Sequence, residues 1–228
     1  MNWQALALTG RLALTTSAIL FVVGLPLAYW ITFSPRRWKF LVEAVVALPL
    51  VLPPTVLGFY ILVAFGSGTG FGRWYESAFG HTLAFTFEGL VIGSVLYSLP
   101  FAVQPFAASF QVIDRNLLAA SAMLGASGPR TFLRVILPLS LPGVITGLAL
   151  SFAHTVGEFG VVLMIGGNIP GVTRTISIDV YDQVQAANYA SAHRTALLLL
   201  LFSFVLLAVL YGVNRRATVW PVRGGWTG

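Results

Sequence analysis

The sequence predicts an all-α membrane protein with about five transmembrane helices. Hydrophobic residues make up 57% of the 228-residue chain and charged residues only 9%, with a mean hydropathy of +0.86. Soluble domains carry about 25% charged residues. A helix needs about 20 apolar residues to cross the hydrocarbon layer, and five segments meet this length: 12–33, 40–65, 90–110, 141–165 and 196–213.

The basic residues predict how these segments are oriented. Nine Lys and Arg residues follow the first, third and fifth segments, and four lie on the opposite side. Because basic loops stay in the cytoplasm, we expect the N-terminus outside and the C-terminus inside. The formal charge of +6 then reflects topology and not nucleic-acid binding. We expect one transmembrane domain over 1–216, a cytoplasmic tail over 217–228, and no removable signal peptide.

Two of the five segments contain more than one proline. Pro49, Pro53 and Pro54 predict a break or kink in the second segment. Backbone groups freed there are tolerated only where they face protein or a watery cavity, so a pathway is expected beside Pro49 to Gly58. A kinked packing helix explains these prolines equally well. The third segment is expected to be broken by Pro100 and Pro105.

Two acids fall within the apolar segments, where an ionisable group is a functional hypothesis by default. Glu43 can pair with the basic residues between the first two segments. Glu158 lies between glycines in 157–160, and its carboxylate can accept hydrogen bonds from the backbone or Thr155 and pin a helix break. We expect this pinning or gating role, because an ionised carboxylate repels an anionic substrate.

The stretch 111–138 is expected to be an ordered cytoplasmic loop. Asp114 is a good N-cap for a helix over 116–124, and Gly125 suits the left-handed position after its end. A second short helix is expected to start near Pro129, and its end is left open, because Pro138 and Pro142 restrict the backbone where the next apolar segment begins. Such order indicates a surface for a partner, although an interfacial helix resting on lipid headgroups fits the spacing as well.

Two longer connections are expected on the outer side. Residues 66–88 are rich in glycine and aromatic residues and predict a short interfacial helix at about 74–79. Residues 166–194 predict a turn at 168–171 and a short helix at about 176–185 that lies across the outer mouth.

Several kinds of chemistry are excluded. Lys39 is the only lysine, and its aromatic neighbours exclude a phosphate-binding loop, so ATP chemistry must come from elsewhere. The chain has no cysteine and three scattered histidines, so we expect no metal and no cofactor bound by this chain. Ser151 and His154 lie one helical turn apart but lack an orienting acid, which favours a structural role over a hydrolase.

The loop resembles the E-A-A-x-x-x-G-x(9)-I-x-L-P sequence of ABC importer permeases. The usual glutamate is missing, because Ala119 stands in its place. The resemblance assigns docking to a partner ATPase to Ala119, Ala120, Ser121, Leu124, Gly125, Val135, Leu137 and Pro138.

From Trp3 to about Arg216 the chain is similar to the molybdate permease subfamily. The sequence 48–58 resembles the second segment of that subfamily, and the Gly-Glu-Phe-Gly element resembles its fourth. The combination of Asn-Ile-Pro-Gly with Tyr-x-x-Val-Gln favours molybdate over sulfate. The implied pathway or gate residues are Pro49, Pro53, Pro54, Gly58, Gly157, Glu158, Phe159 and Gly160. The implied outer-mouth residues are Asn168, Pro170, Thr173, Arg174 and Thr175.

The resemblance implies an ABC importer type I permease fold in the bacterial cytoplasmic (inner) membrane. Two copies would form the pore, as a homodimer in contact with membrane lipid. Two cytoplasmic ATPase subunits would use ATP and Mg, and a periplasmic or lipid-anchored molybdate-binding protein would deliver the oxyanion. The chain itself would be a transport subunit and not an enzyme.

Three alternatives remain at the level of sequence. The substrate can be tungstate, sulfate or thiosulfate, because the relatives share elements. A standalone secondary transporter is disfavoured, because the five segments show no internal repeat and no chain of membrane acids for ion coupling. A membrane adaptor or enzyme is disfavoured further, because no catalytic arrangement is found.

Overall fold

The computed structural model describes residues 2–218, and the side chains of residues 2–212. Every regular element in this part is a helix. The helices are α1 Trp3–Phe33, α2 Lys39–Val51, α3 Pro54–Phe65, α4 Gly70–Phe79, α5 Phe87–Gln111, α6 Arg115–Met123, α7 Gly128–Thr131, α8 Leu137–Gly157, α9 Gly160–Gly166, α10 Ile176–Gln185 and α11 Tyr189–Thr218. A π-helical segment, Phe132–Ile136, joins α7 to α8.

Length and apolar composition confirm the prediction of about five membrane spans. Helices α1 and α5, the continuous helix Gly128–Gly157 and residues Tyr189–Gly212 of α11 are each long and apolar enough to cross a bilayer. The pair α2 and α3 gives a fifth span that is bent by 114°. The predicted tail begins inside α11, and residues 219–228 lie outside the described residues.

The centre of the bundle is α5, which packs against both α1 and α8, and these two helices also pack against each other. Phe106 is fully buried at this junction together with Leu20 and Val144. Small residues allow the close approach: a Cβ atom added at Gly147 of α8 would lie 2.6 Å from the Phe106 ring. Membrane helices associate through such packing, because lipid is as apolar as their side chains.

The prediction that prolines break the third segment is wrong. Pro100 and Pro105 both lie inside α5, which is continuous from Phe87 to Gln111. Pro100 is buried against neighbouring helices. A proline is tolerated in a membrane helix when neighbouring helices and local backbone adjustment compensate for the lost hydrogen bond.

The predicted connections are confirmed at the end of the bundle that carries α4 and α10. Helix α10 spans the predicted residues, a turn occupies 168–171, and α4 is longer than the expected 74–79. The start of α1 lies at this same end. The Asn2 amide donates to the Asp179 carboxylate at 2.9 Å, and the Thr9 hydroxyl accepts from the backbone N–H of Ile176 at 2.8 Å.

Candidate translocation pathway and docking loop

The second span breaks where two prolines follow each other. Leu52 and Pro53 adopt extended ψ angles of 136° and 135°, and α3 restarts at Pro54. A residue before proline disfavours the helical region, and two successive prolines remove two backbone donors. The predicted break is therefore confirmed, whereas Pro49 lies within α2 without interrupting it.

The fourth segment is also broken, at the Gly-Glu-Phe-Gly element. Helix α8 ends at Gly157, Glu158 is extended (φ −68°, ψ 134°), and α9 begins at Gly160. The predicted span 141–165 is thus two helices. The first of these, α8, continues without a break from the stretch 111–138, which we call the docking loop, and the combined helix begins at Gly128.

The two breaks meet in space. A Cβ atom added at Gly160 would lie 2.7 Å from Cβ of Pro54, and one added at Gly58 would lie 2.8 Å from Cβ of Met164. Helix α3 therefore packs directly on α9, and only glycine fits at both contacts. The structure brings together Pro54, Gly58 and Gly160 from the predicted pathway residues. A Cβ atom at Gly157 would meet open space.

The carboxylate of Glu158 lacks the hydrogen bonds that were expected at the second break. This carboxylate is buried, and neither oxygen has a hydrogen bond to the described residues. The Ser94 hydroxyl of α5 faces it, outside hydrogen-bond geometry. The backbone carbonyl of Glu158 instead accepts a hydrogen bond from the Ser177 hydroxyl of α10. The expectation that Thr155 or the backbone donates to this carboxylate is therefore wrong.

Thr155 belongs to a polar relay that ties α8 to α5. Its hydroxyl donates to the Ser151 carbonyl at 2.9 Å and lies 3.0 Å from the Ser98 hydroxyl. Because each hydroxyl has one proton, Ser98 donates to Thr155 and accepts from Nδ1–H of His154, 3.0 Å away. The His154 ring also stacks on Phe101, with centroids 3.9 Å apart.

This relay supports the structural interpretation of the Ser151 and His154 pair. The Ser151 hydroxyl donates to the Gly147 carbonyl at 2.7 Å, so it is not activated by His154. Sequence spacing did not reveal the relay, since Ser98 lies 56 residues before His154.

Glu43 is exposed and does not form the expected ion pair. Within the described side chains, the single ion pair joins Arg174 to Asp182. The Lys39 ammonium donates to the Ile31 carbonyl at 3.2 Å. Glu43 lies beside a hollow between α2 and α5 that Gln104 and Gln111 also line.

Two of the five predicted outer-mouth residues, Asn168 and Arg174, form a closed cluster with Asp182. The Asn168 amide donates to both Asp182 oxygens at 2.8 and 2.7 Å, and Nε of Arg174 donates to the Asn168 carbonyl oxygen at 2.6 Å. A guanidinium nitrogen of Arg174 lies 3.6 Å from Asp182. The charge of Arg174 is thus compensated within the chain. Asp182 was not predicted from the sequence, because the residues that it contacts, Asn168 and Arg174, lie in the preceding loop and no local pattern links them to it.

The two threonines of this mouth are buried. Thr173 donates to the Gly166 carbonyl at 2.6 Å and accepts from the Ile169 N–H at 3.1 Å, which fixes the turn. The hydroxyl of Thr175 lies 2.9 Å from that of Ser177. Pro170 is exposed in the turn. These threonines therefore stabilise the loop and do not face the solvent.

The docking loop has the predicted local structure. The Asp114 carboxylate accepts from the Asn116 N–H at 2.8 Å as an N-cap, and Gly125 is left-handed with φ of 74°. The N–H of Gly125 bonds to the Ala122 carbonyl and that of Ala126 to the Ser121 carbonyl. These two bonds make a Schellman motif, which ends α6 sharply. The Ser121 hydroxyl also lies 2.8 Å from that of Thr131 in α7.

Helix α6 has no buried residue. Met123 and Leu124 are 89% and 87% exposed, and Ala119 and Ala120 are exposed as well. Such exposed apolar side chains at a helix end are typical of an interaction surface. Met123 was not among the predicted docking residues, although it lies two positions before the glycine that ends the helix.

The remaining docking residues lie away from α6. Val135 and Leu137 are half-buried, Pro138 is exposed, and the helix runs through all three into α8. The helix that starts near Pro129 therefore continues into the next apolar segment, and neither Pro138 nor Pro142 ends it. The π-helical turn before Pro138 widens the helix, and this relieves the clash of the proline ring with the preceding turn.

Comparison with known proteins identifies the family of this helical bundle. A family model described as binding-protein-dependent transport system inner membrane component matches residues 21–219. The molybdenum transport system permease protein ModB of Azotobacter vinelandii is 51% identical over 211 residues, which cover 92% of this chain and 93% of that protein. The protein of the same name from Haemophilus influenzae is 38% identical over 179 residues, 77% of this chain and 78% of that protein.

A solved structure shows the same fold. The chain superposes on a subunit of the inward-facing methionine ABC transporter MetNI with a TM-score of 0.72 at 16% identity, covering 95% of both chains. The family match covers most of the sequence, and the shared fold covers nearly all of it. The chain therefore belongs to the binding-protein-dependent transport system inner membrane component family, as a multi-pass inner-membrane permease subunit with the fold of an ABC importer.

Proposed function

We propose that this chain is the membrane-spanning subunit of an ATP-driven importer that carries molybdate across the cytoplasmic membrane. The observation that carries the substrate is the likeness, over nearly the whole of both chains, to a molybdenum transport permease. The Asn-Ile-Pro-Gly turn also supports it. Tungstate and sulfate are the alternatives, because both are tetrahedral dianions like molybdate.

Two copies of the chain would form the pore, with N-termini outside and C-termini inside. Each copy would dock α6 into a cytoplasmic ATPase subunit, which binds ATP and Mg. The exposure of Met123 and Leu124 supports this role, and an apolar contact would replace the ion pair that Ala119 cannot make. ATP binding would draw the two loops together, and hydrolysis would reset them.

The continuous helix from the docking loop supports this coupling. No break separates Gly128 from Gly157, so a displacement of the loop moves α8 as a rigid body up to the Gly-Glu-Phe-Gly break. At that break α9 packs on α3. A displacement of the loop would thus move both broken spans. We propose that these two breaks form the gate.

Reconstitution in vesicles tests this function. The complex with its ATPase and a molybdate-loaded binding protein is expected to accumulate labelled molybdate only with ATP, and excess sulfate is expected to compete weakly. Strong competition by sulfate would reassign the substrate. Uptake by this chain alone, without any ATPase, would contradict the importer and favour a secondary transporter.

A further inference from the structure

Helix α5 carries a stripe of four residues on one face. Phe101, Gln104, Ala108 and Gln111 recur at intervals of three and four positions, which places them one above another. Gln104, Ala108 and Gln111 are exposed, although α5 is otherwise the central helix of the bundle. Lipid cannot satisfy the hydrogen bonds of an amide at membrane depth. The stripe therefore faces protein or water and not the hydrocarbon.

Two hollows adjoin along this stripe. One, of about 330 Å³, lies between α2 and α5 and extends to Glu43 and Gln111. The other, also about 330 Å³, lies between the end of α2, α5 and α8 and extends to Leu50 and Phe101. Gln104 and Ala108 line both hollows. Together they form one groove that runs along α5 and ends beside the broken second span.

Away from the end beside Glu43, whose carboxylate repels anions, the groove suits an anion that is contacted but not retained. Among the described residues that line it, none is Lys or Arg, and the one charged group is Glu43. Each glutamine amide presents two N–H donors without a fixed charge. Conduction requires contacts strong enough to replace water and weak enough to release the ion. A guanidinium would bind a dianion through paired charged hydrogen bonds and retain it.

We propose that Gln104 and Gln111 form the wall of the translocation path that contacts the oxyanion, with neutral amide donors acting in sequence along α5. This inference rests on the proposed function as an oxyanion importer. In the proposed homodimer, each copy of the chain supplies one such stripe on α5. The ligand is a tetrahedral dianion, partly dehydrated at the level of Gln104.

Cysteine accessibility tests the groove without reference to any substrate. The chain has no native cysteine, so Gln104→Cys and Ala108→Cys each introduce one thiol. Both are expected to react with a charged, membrane-impermeant thiol reagent applied to either side of vesicles. Val205→Cys, on the exposed face of α11, is the control, since a thiol in hydrocarbon does not form the reactive thiolate. Equal inertness of Gln104→Cys and Val205→Cys would overturn the proposal.

Uptake by the reconstituted complex tests the role of the amides. The double variant Gln104→Leu, Gln111→Leu is expected to lower the molybdate uptake rate about tenfold or more, from the loss of hydrogen bonds to a charged group. ATP hydrolysis stimulated by the loaded binding protein should persist. Gln4→Leu, at the exposed start of α1, should transport normally.

Two outcomes would overturn this role. Unchanged uptake in the double variant means that the amides do not contact the ion, and an equal loss of ATP hydrolysis and uptake means that they serve assembly. Failure of the proposed substrate is distinguishable, because the unsubstituted complex would then import sulfate and not molybdate. The uptake rates of the variants would in that case be measured with labelled sulfate.

Discussion

Gly125 offers the sharpest test of the docking loop. Its φ of 74° lies in the left-handed region, and a Cβ atom added there would meet nothing within 4 Å. The cost of a side chain at this position is therefore a cost of backbone conformation and not of collision. That cost is about 1–2 kcal/mol for a residue other than glycine. We expect the loop of free Gly125→Val to relax out of the left-handed conformation, so that docking must restore it at this cost. Since about 1.4 kcal/mol is a factor of ten in affinity, ATPase binding should weaken roughly tenfold.

The assay compares ATPase affinity and stimulated ATP hydrolysis across matched variants. Gly125→Asn should remain close to the unsubstituted protein, because asparagine tolerates the left-handed region. Gly128→Ala, at another open glycine of the same loop with no left-handed φ, should also be tolerated. Membrane insertion should be unchanged in all three, because α6 has no buried residue. Normal ATPase affinity in Gly125→Val would refute the claim that this bend orients the docking helix.

Two further predictions concern the break and the outer mouth. Gly160→Val should abolish uptake at equal membrane abundance, because the valine side chain would collide with Pro54. Gly157→Ala, where a Cβ atom meets open space, should transport normally. Glu158→Gln should impair uptake less than Gly160→Val does, and the opposite ranking would show that the carboxylate charge itself is needed. Asp182→Asn should lower the Tm of the purified protein by less than about 4 °C, because a partly exposed ion pair contributes at most about 1 kcal/mol; a larger fall would mean that the cluster holds the outer loop in place.

Local sequence signals predicted the parts of the site that depend on neighbouring residues. Asp114 and Gly125 specify the ends of α6, because a cap and a left-handed glycine act within one turn of the chain. The break at Pro53 and Pro54 follows in the same way, from two missing backbone donors. The expected breaks at Pro100 and Pro105 did not occur, because packing around α5 outweighs the local preference of proline.

Contacts between distant segments could not be read from the sequence. The relay of Ser98, His154 and Thr155, the cluster of Asn168, Arg174 and Asp182, and the surroundings of Glu158 all depend on which helix faces join. Helical spacing shows which residues share a face, but it does not show what that face meets. For that reason the sequence singled out Glu158 but assigned it the wrong hydrogen bonds.

The sequence by itself determined that this is a helical membrane protein with about five spans and an ordered loop at 111–138. Composition and segment length suffice for this, because a bilayer permits few solutions for an apolar chain. Only the tertiary structure decided that α3 meets α9 at Gly58 and Gly160, and that the docking loop continues into α8 without a stop. Both depend on packing between segments, where a single absent Cβ atom determines how closely two helices approach.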